Sequence, residues 1–270
     1  MPVTSSGVAR TGTLSASGLV KAFGGVEAVA GCSFALTPRT VTGLIGPNGS
    51  GKSTLIEILA GSQRQDSGVV LFEGVDISRW TPDRRARAGL VRTFQAARLW
   101  PRLSVAENLL AAAPDKGRND VWRTLFAYRA LRAAEADDQA RAAEILDLFK
   151  LWPLRDAPAA SLSGGQARLL EFGRVMMSNA ILAMLDEPLA GVNPVMADEV
   201  VEGIRRLAQH GVTLLLVEHN LHVVEDLCED VMGMALGKIA VRGTVAEIAA
   251  SEFFAEAYLG ASLIGPPAHE

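Results

Sequence analysis

Short apolar runs closed by turn residues alternate along this chain with longer stretches of helical period. Val41-Thr42-Gly43-Leu44-Ile45 is such a run, ended by Gly46, and reads as a buried strand; Ser53 to Ala60 then reads as a helix stopped by Gly61. Ile181 to Leu185 and Val212 to Val217 repeat the pattern of a strand buried on both faces. From Leu14 to about Asp76, β-type runs and turns surround the first helix, with Ser67-Gly68 ahead of an expected strand Val69 to Glu73. That predicts an antiparallel patch joined to a second sheet. From about Leu99 to Leu162 the period turns helical: Trp122, Leu125, Phe126 and Leu131 recur at turn spacing, followed by Ile145, Leu146, Phe149 and Leu151. The charge-rich stretch Arg132 to Glu144 reads as a solvated helix face. After Ser178 the chain is expected to return to strands and helices of the first region. The fold class is α/β, with an antiparallel β patch and an inserted helical subdomain at about 99–162.

Composition narrows the class. With 270 residues and 49% apolar content the chain can build an extensive core, which excludes a disordered or fibrous reading. A formal net charge of −4 gives no basic footprint, so nucleic acid is not the expected partner. Cys32 and Cys228 are too few for a disulfide framework, no Cys-x-x-Cys or paired-histidine spacing suggests zinc, and a reducing cytoplasm fits. No stretch approaches the roughly 20 apolar residues that span a bilayer. Residues 1–13 lack the apolar stretch of a secretory signal and are expected to form a tail, as is 261–270, leaving one domain over 14–260.

The candidate chemistry begins directly after the first buried strand. Gly46-Pro47-Asn48-Gly49-Ser50-Gly51-Lys52-Ser53 is a complete GxxxxGKS loop. Its glycines let consecutive backbone N–H groups turn toward phosphates, Lys52 adds charge, the Ser53 hydroxyl can ligate magnesium, and the following helix adds the positive end of its dipole. Leu162-Ser163-Gly164-Gly165-Gln166 is a second glycine-rich helix start, where Ser163 can act as cap or as anion ligand. The run Ile181 to Leu185 delivers Asp186 and Glu187 to a strand end, where Asp186 would support magnesium and Glu187 would polarise a water attacking the γ-phosphate. The next buried run ends at Glu218-His219-Asn220, and His219 can donate to a γ-phosphate.

In this order the motifs resemble the ATP-binding subunits of ABC transporters, from about Leu14 to about Leu259. The resemblance implies a P-loop NTPase core of ABC ATPase type. Gly46 to Thr54 look like Walker A, Gln95 like the magnesium and coupling glutamine, and Leu162 to Gln166 like the signature. Asp186 and Glu187 look like Walker B with its catalytic glutamate, His219 like the switch histidine, and Phe23 holds the position that stacks on adenine. ATP and Mg2+ are the implied cofactors. The chain carries one set of motifs, so a second ATP-binding subunit, a copy or close relative, is implied, with Ser163 and Gly165 facing ATP held by the partner's Lys52. Ala190 to Pro194 look like the loop crossing that interface.

The resemblance further implies transmembrane permease subunits docked near Gln95, with Leu99, Trp100, Leu103, Val105 and Leu109 as candidates for an apolar docking surface. It also implies, indirectly, a solute-binding protein, and a peripheral location on the cytoplasmic face of the cell membrane. Arg92-Thr93-Phe94-Gln95, Pro101 to Leu109, Ala190 to Pro194 and Val217 to Asn220 look most like the subgroup energising branched-chain amino acid uptake. Gly164 departs from it, since that subgroup frequently carries an aromatic there. The alternatives are subunits for urea or amide uptake or lipopolysaccharide export, and a soluble ABC ATPase acting on a non-transport assembly.

Overall fold

The computed structural model describes residues 10–93, 98–114 and 128–251, the side chains of 128–134 excepted. Gln95, Trp122, Leu125 and Phe126, the Leu131 side chain and most of both expected tails lie outside the described residues.

Strands β1 (Leu14–Phe23) and β2 (Val26–Ala35) pair antiparallel across the Gly24-Gly25 turn, and β4 (Ser67–Phe72) and β5 (Val75–Asp76) complete a sheet of order β2-β1-β4-β5. This is the expected antiparallel patch, with β4 starting two residues earlier than read and ending before Glu73, which turns at φ 51°. The larger sheet contains β3 (Val41–Ile45), β6 (Leu90–Arg92), β7 (Leu182–Asp186), β8 (Thr213–Val217), β9 (Asp230–Ala235) and β10 (Lys238–Gly243) in the order β10-β9-β3-β8-β7-β6. β3 runs parallel to β8 and β9, β6 parallel to β7, and β10 antiparallel to β9. Every residue of β3, β7 and β8 is buried, which is why these strands read as continuous apolar runs rather than alternating ones.

The described chain divides into two compact units. The first holds the segment up to Arg92, Ile181–Leu185 and the chain from Ala208 onward; the second holds Thr93–Ala180 and Asp186–Leu207. In the first, helix α1 (Lys52–Ala60) buries Leu55, Ile56, Ile58 and Leu59 in one cluster with Leu44, Leu215, Val217 and Met232. At about 1.5–3 kcal/mol per buried side chain of this size, that face fixes α1 in place. Helix α2 (Pro82–Arg87) starts where Thr81 accepts from the Arg84 amide and Pro82 presets the first turn.

The second unit is built from α3 (Val105–Leu110), α4 (Tyr128–Leu148), α5 (Gly164–Met177) and most of α6 (Pro194–Gln209). Gly173 of α5 lies where a side chain would meet Leu109 and Ile145, and the Phe149 and Phe172 rings stack with centroids 6.4 Å apart and planes tilted by 54°. Fully buried Asn108 accepts from the Trp100 amide at 2.9 Å and donates to the carbonyls of Trp100 and Ser104, both at 3.0 Å. Two expectations change here. Val105 and Leu109 are fully buried, because α3 packs on α4 and α5, so they belong to the core and not to a docking surface. The chain after Ser178 does not return wholly to the first region either, since Gly203 of α6 admits Leu169 and Phe172 and keeps that helix with the helical unit. Helices α7 (Leu221–Leu227) and α8 (Val245–Ala249) close the first unit.

Candidate functional site

In the first unit, Gly46 to Gly51 form the loop between β3 and α1. Gly51 has φ 104°, and a Cβ there would lie 2.0 Å from the Ala28 carbonyl oxygen, so the loop can pass β2 only with glycine at this position. Helix α1 has no side-chain cap and no acidic residue in its first turn. Its first amides and the positive end of its dipole are thus not countered by a carboxylate of its own first turn, which favours anion binding at a helix start. Lys52 is 6% exposed, and its ammonium donates to the Gly46 carbonyl at 2.8 Å and the Pro47 carbonyl at 2.9 Å. Buried Ser50 Oγ has no hydrogen-bond partner, while Asn48, Gly49 and Ser53 are exposed and Thr54 is half-buried. Charge, open amides and hydroxyls at one helix start fit a chain of phosphates.

β8 lies beside β3 in parallel register, Leu44 against Val217, so the phosphate loop and the segment Glu218-His219-Asn220 leave the sheet at the same edge. Glu218 is 5% exposed and its carboxylate accepts from the His219 amide at 3.1 Å. His219 is exposed, and Asn220 caps α7 by accepting from the His222 amide at 3.1 Å. Phe23, at the end of β1, is 49% exposed, with the Lys21 ammonium 5.2 Å from its ring centre. An aromatic left this open at a strand end is available for stacking.

In the second unit, Ser163 caps α5: its Oγ accepts from the Gln166 amide at 3.3 Å, and Gln166 Oε1 accepts from the Ser163 amide at 2.9 Å. Ser163 and Gly164 are exposed. Gly165 is buried against Met196 of α6, 2.7 Å from where its Cβ would stand, and Gly164 faces the Gly191 carbonyl at 3.5 Å in the same sense. The signature and the Ala190-to-Pro194 loop are therefore neighbours within this unit. Behind the signature, Arg168 and Glu171 form a buried ion pair at 2.8 Å, which the sequence reading missed although the i,i+3 spacing of opposite charges was there to find. Asp186 ends β7 and is buried; Glu187 follows at φ 47°, half-buried, in a turn closed by the Ala190 amide on its carbonyl at 3.0 Å. A non-glycine residue at positive φ is stored strain that a functional position commonly carries. Gln95 lies outside the described residues. Among the described residues no group of three or more His, Cys, Asp or Glu is arranged to hold a metal by itself.

Comparison with known proteins follows the same lines. The ABC transporter family matches residues 29–190. A probable branched-chain amino acid transport ATP-binding protein, LivG, of Archaeoglobus fulgidus is 39% identical over 243 residues, 90% of this chain and 93% of its own. The high-affinity branched-chain amino acid transport ATP-binding protein BraF of Pseudomonas aeruginosa is 35% identical over 92% of this chain and 97% of its own. Among solved structures, the ADP conformation of an ATP-binding cassette of an ABC transporter superimposes with a TM-score of 0.79 at 35% identity, covering 92% of this chain and 99% of that one. A matching family span that includes the phosphate loop, the signature and the Asp186-Glu187 pair, together with near full-length relatives, places this chain in the ABC transporter family as an ATP-binding subunit of ATPase activity and ABC cassette fold.

Proposed function

We propose that this chain binds magnesium ATP and hydrolyses it to energise import of branched-chain or related amino acids through a membrane permease. It would act in an ATP-sandwiched dimer with a second copy or a close relative. The observation that carries the reading is the phosphate loop: a helix start without cap or acid, with a buried lysine held on loop carbonyls, is built to receive phosphates. The relatives named for branched-chain amino acid transport support the substrate class.

Each residue then has a role that its chemistry can fill. Lys52 and the amides of Gly49 to Thr54 hold the phosphates, with Pro47 and Asn48 shaping the loop, and Phe23 stacks on the base. Ser53, Asp186 and Gln95 would hold magnesium, a hydroxyl, a carboxylate and an amide being oxygen donors of the kind that ion takes. When bound there, the ion would neutralise charge on the phosphates. Glu187 accepts the proton of the attacking water, and His219 donates to the γ-phosphate. Ser163, Gly164, Gly165 and Gln166 serve the nucleotide of the other subunit; the Ser163–Gln166 capping pair would open its hydroxyl to that phosphate.

The single ABC ATPase domain spans 14–260, with the helical block carrying the permease contact and the permease linking the chain indirectly to a solute-binding protein. No helix among the described residues is long and apolar enough to cross a membrane. Attachment at the cytoplasmic face would run through the permease. The test is an affinity pull-down of tagged Glu187→Gln protein from solubilised membranes with magnesium ATP, followed by mass spectrometry. Recovery of a polytopic permease with its binding protein is expected, and recovery of soluble assemblies alone contradicts the transporter reading.

A further inference from the structure

At the carboxyl end of α1, within the first unit, a pocket of about 180 Å³ is lined by Gly61, Gln63, Arg64, Arg79, Trp80 and Arg85, among others, and by no carboxylate. The chain is acidic overall, yet four arginines fall between Arg79 and Arg87 against the single acid Asp83, which pairs with Arg87 at 3.0 Å. Arg85 is 1% exposed. Its Nη1 donates to the Ile58 and Leu59 carbonyls at 2.7 and 2.6 Å, its Nη2 to Ile77 at 2.7 Å and its Nε to Trp80 at 3.3 Å. Ile58 and Leu59 belong to the last turn of α1, whose dipole end is negative. Gly61 permits this approach, since a Cβ there would lie 2.8 Å from Arg85 Nε.

These bonds use all but one of the guanidinium donors, and every acceptor is a neutral carbonyl. Asp76, which acts on Arg85 electrostatically, is engaged by the Ser78 amide at 2.8 Å. Burial without a bonded counter-charge pulls the Arg85 pKa down to about 10. The pocket thus combines a fixed buried cation with two exposed ones, Arg64 and Arg79, and with the Thr81 hydroxyl, whose oxygen already accepts the Arg84 amide. Such a wall offers donors and positive charge, and forked guanidinium groups match phosphate oxygens better than a point cation does.

We propose that this pocket binds a phosphate group, with Arg85 as the fixed charge and Arg64 and Arg79 contacting it from the rim. The phosphate is either free or carried on an anionic lipid headgroup. The inference is independent of the transport reading, because none of these side chains serves the nucleotide. Equilibrium dialysis with radiolabelled orthophosphate, run with excess ADP to fill the phosphate loop, would compare the full wild-type chain with Arg64→Glu/Arg79→Glu. Thermal melting and ATP turnover, expected to be unchanged, check the fold of the variant; if it melts lower, Arg79→Gln replaces it. Affinity should fall by at least about tenfold, the worth of one charge-assisted contact. The second arm is co-sedimentation with vesicles of phosphatidylglycerol and phosphatidylcholine, against phosphatidylcholine alone. Capture of wild type but not of the variant by the anionic vesicles identifies a lipid headgroup, and variant-sensitive orthophosphate binding without such capture identifies free phosphate. If neither arm distinguishes variant from wild type, the proposal is overturned.

Discussion

Replacing Gly51 with alanine, beside the same change at Gly49, isolates what the phosphate loop owes to its packing. Both glycines have positive φ, 104° and 79°, so both alanines incur backbone strain of about 1–2 kcal/mol. They differ in surroundings. Around Gly49 nothing lies within 4 Å of the added carbon, whereas at Gly51 that carbon would stand 2.0 Å from the Ala28 carbonyl oxygen and 2.8 Å from the end of the Met234 side chain. Methionine can move aside; a carbonyl fixed in a strand cannot without shifting β2. Overpacking of this kind costs about 1–3 kcal/mol, so Gly51→Ala should be less stable than Gly49→Ala by that amount. Urea unfolding without nucleotide, followed by far-UV circular dichroism, measures the difference as a shift of midpoint at constant slope. Equal midpoints for the two variants would refute the packing argument.

Phe149→Ala removes a ring that is 1% exposed and stacked on Phe172, and should cost about 3–5 kcal/mol in chemical denaturation. Arg168→Ala leaves Glu171 buried without this partner and should destabilise by about 3–5 kcal/mol, measured the same way; a loss below about 1 kcal/mol would show that the pair is dispensable. The Glu247 carboxylate accepts from the Thr244 amide at 2.7 Å and hydroxyl at 3.0 Å, which hold its pKa below the ordinary glutamate value. Its contribution is therefore present at neutral pH and lost as pH falls through the lowered folded-state value. Glu247→Gln should be less stable than wild type at neutral pH and equal to it in acid, and a difference constant across a pH series of melts would contradict this.

Much of the fold was legible because the parallel strands are buried on both faces. Val41 to Ile45 could be read directly, and the run Ile181 to Leu185 found β7 (Leu182–Asp186) to within one residue, since a strand with no solvent face carries no polar alternation to confuse it. The helix after Lys52 was equally plain, bounded by the glycine loop and Gly61. What sequence could not separate was core from surface in the helical unit. Val105 and Leu109 carry the same apolar signal whether they face a partner or α4 and α5, and only packing decides. The allegiance of α6 was hidden for a related reason: Gly203 looks like a weak point in a helix until Leu169 and Phe172 are seen to occupy the space it leaves. Of the candidate site, the residue types were all visible in the motifs, as was Ser163 as a helix cap, but the Gly165–Met196 contact and the positive φ of Glu187 were not. Each depends on contacts or backbone angles that motif spacing does not encode. The Arg85 arrangement was hidden likewise, because an arginine in a basic run gives no sign that it is buried.

ATP turnover by this chain, with Glu187 activating the attacking water, is open to direct measurement. The most direct test measures steady-state ATP hydrolysis and labelled-ATP affinity for wild type and Glu187→Gln side by side. Measurable turnover is expected in wild type, and a fall of about 10² to 10⁴ in the variant with ATP affinity retained, because only proton acceptance is lost. Near-normal turnover in Glu187→Gln, or none in wild type despite nucleotide binding, would contradict this.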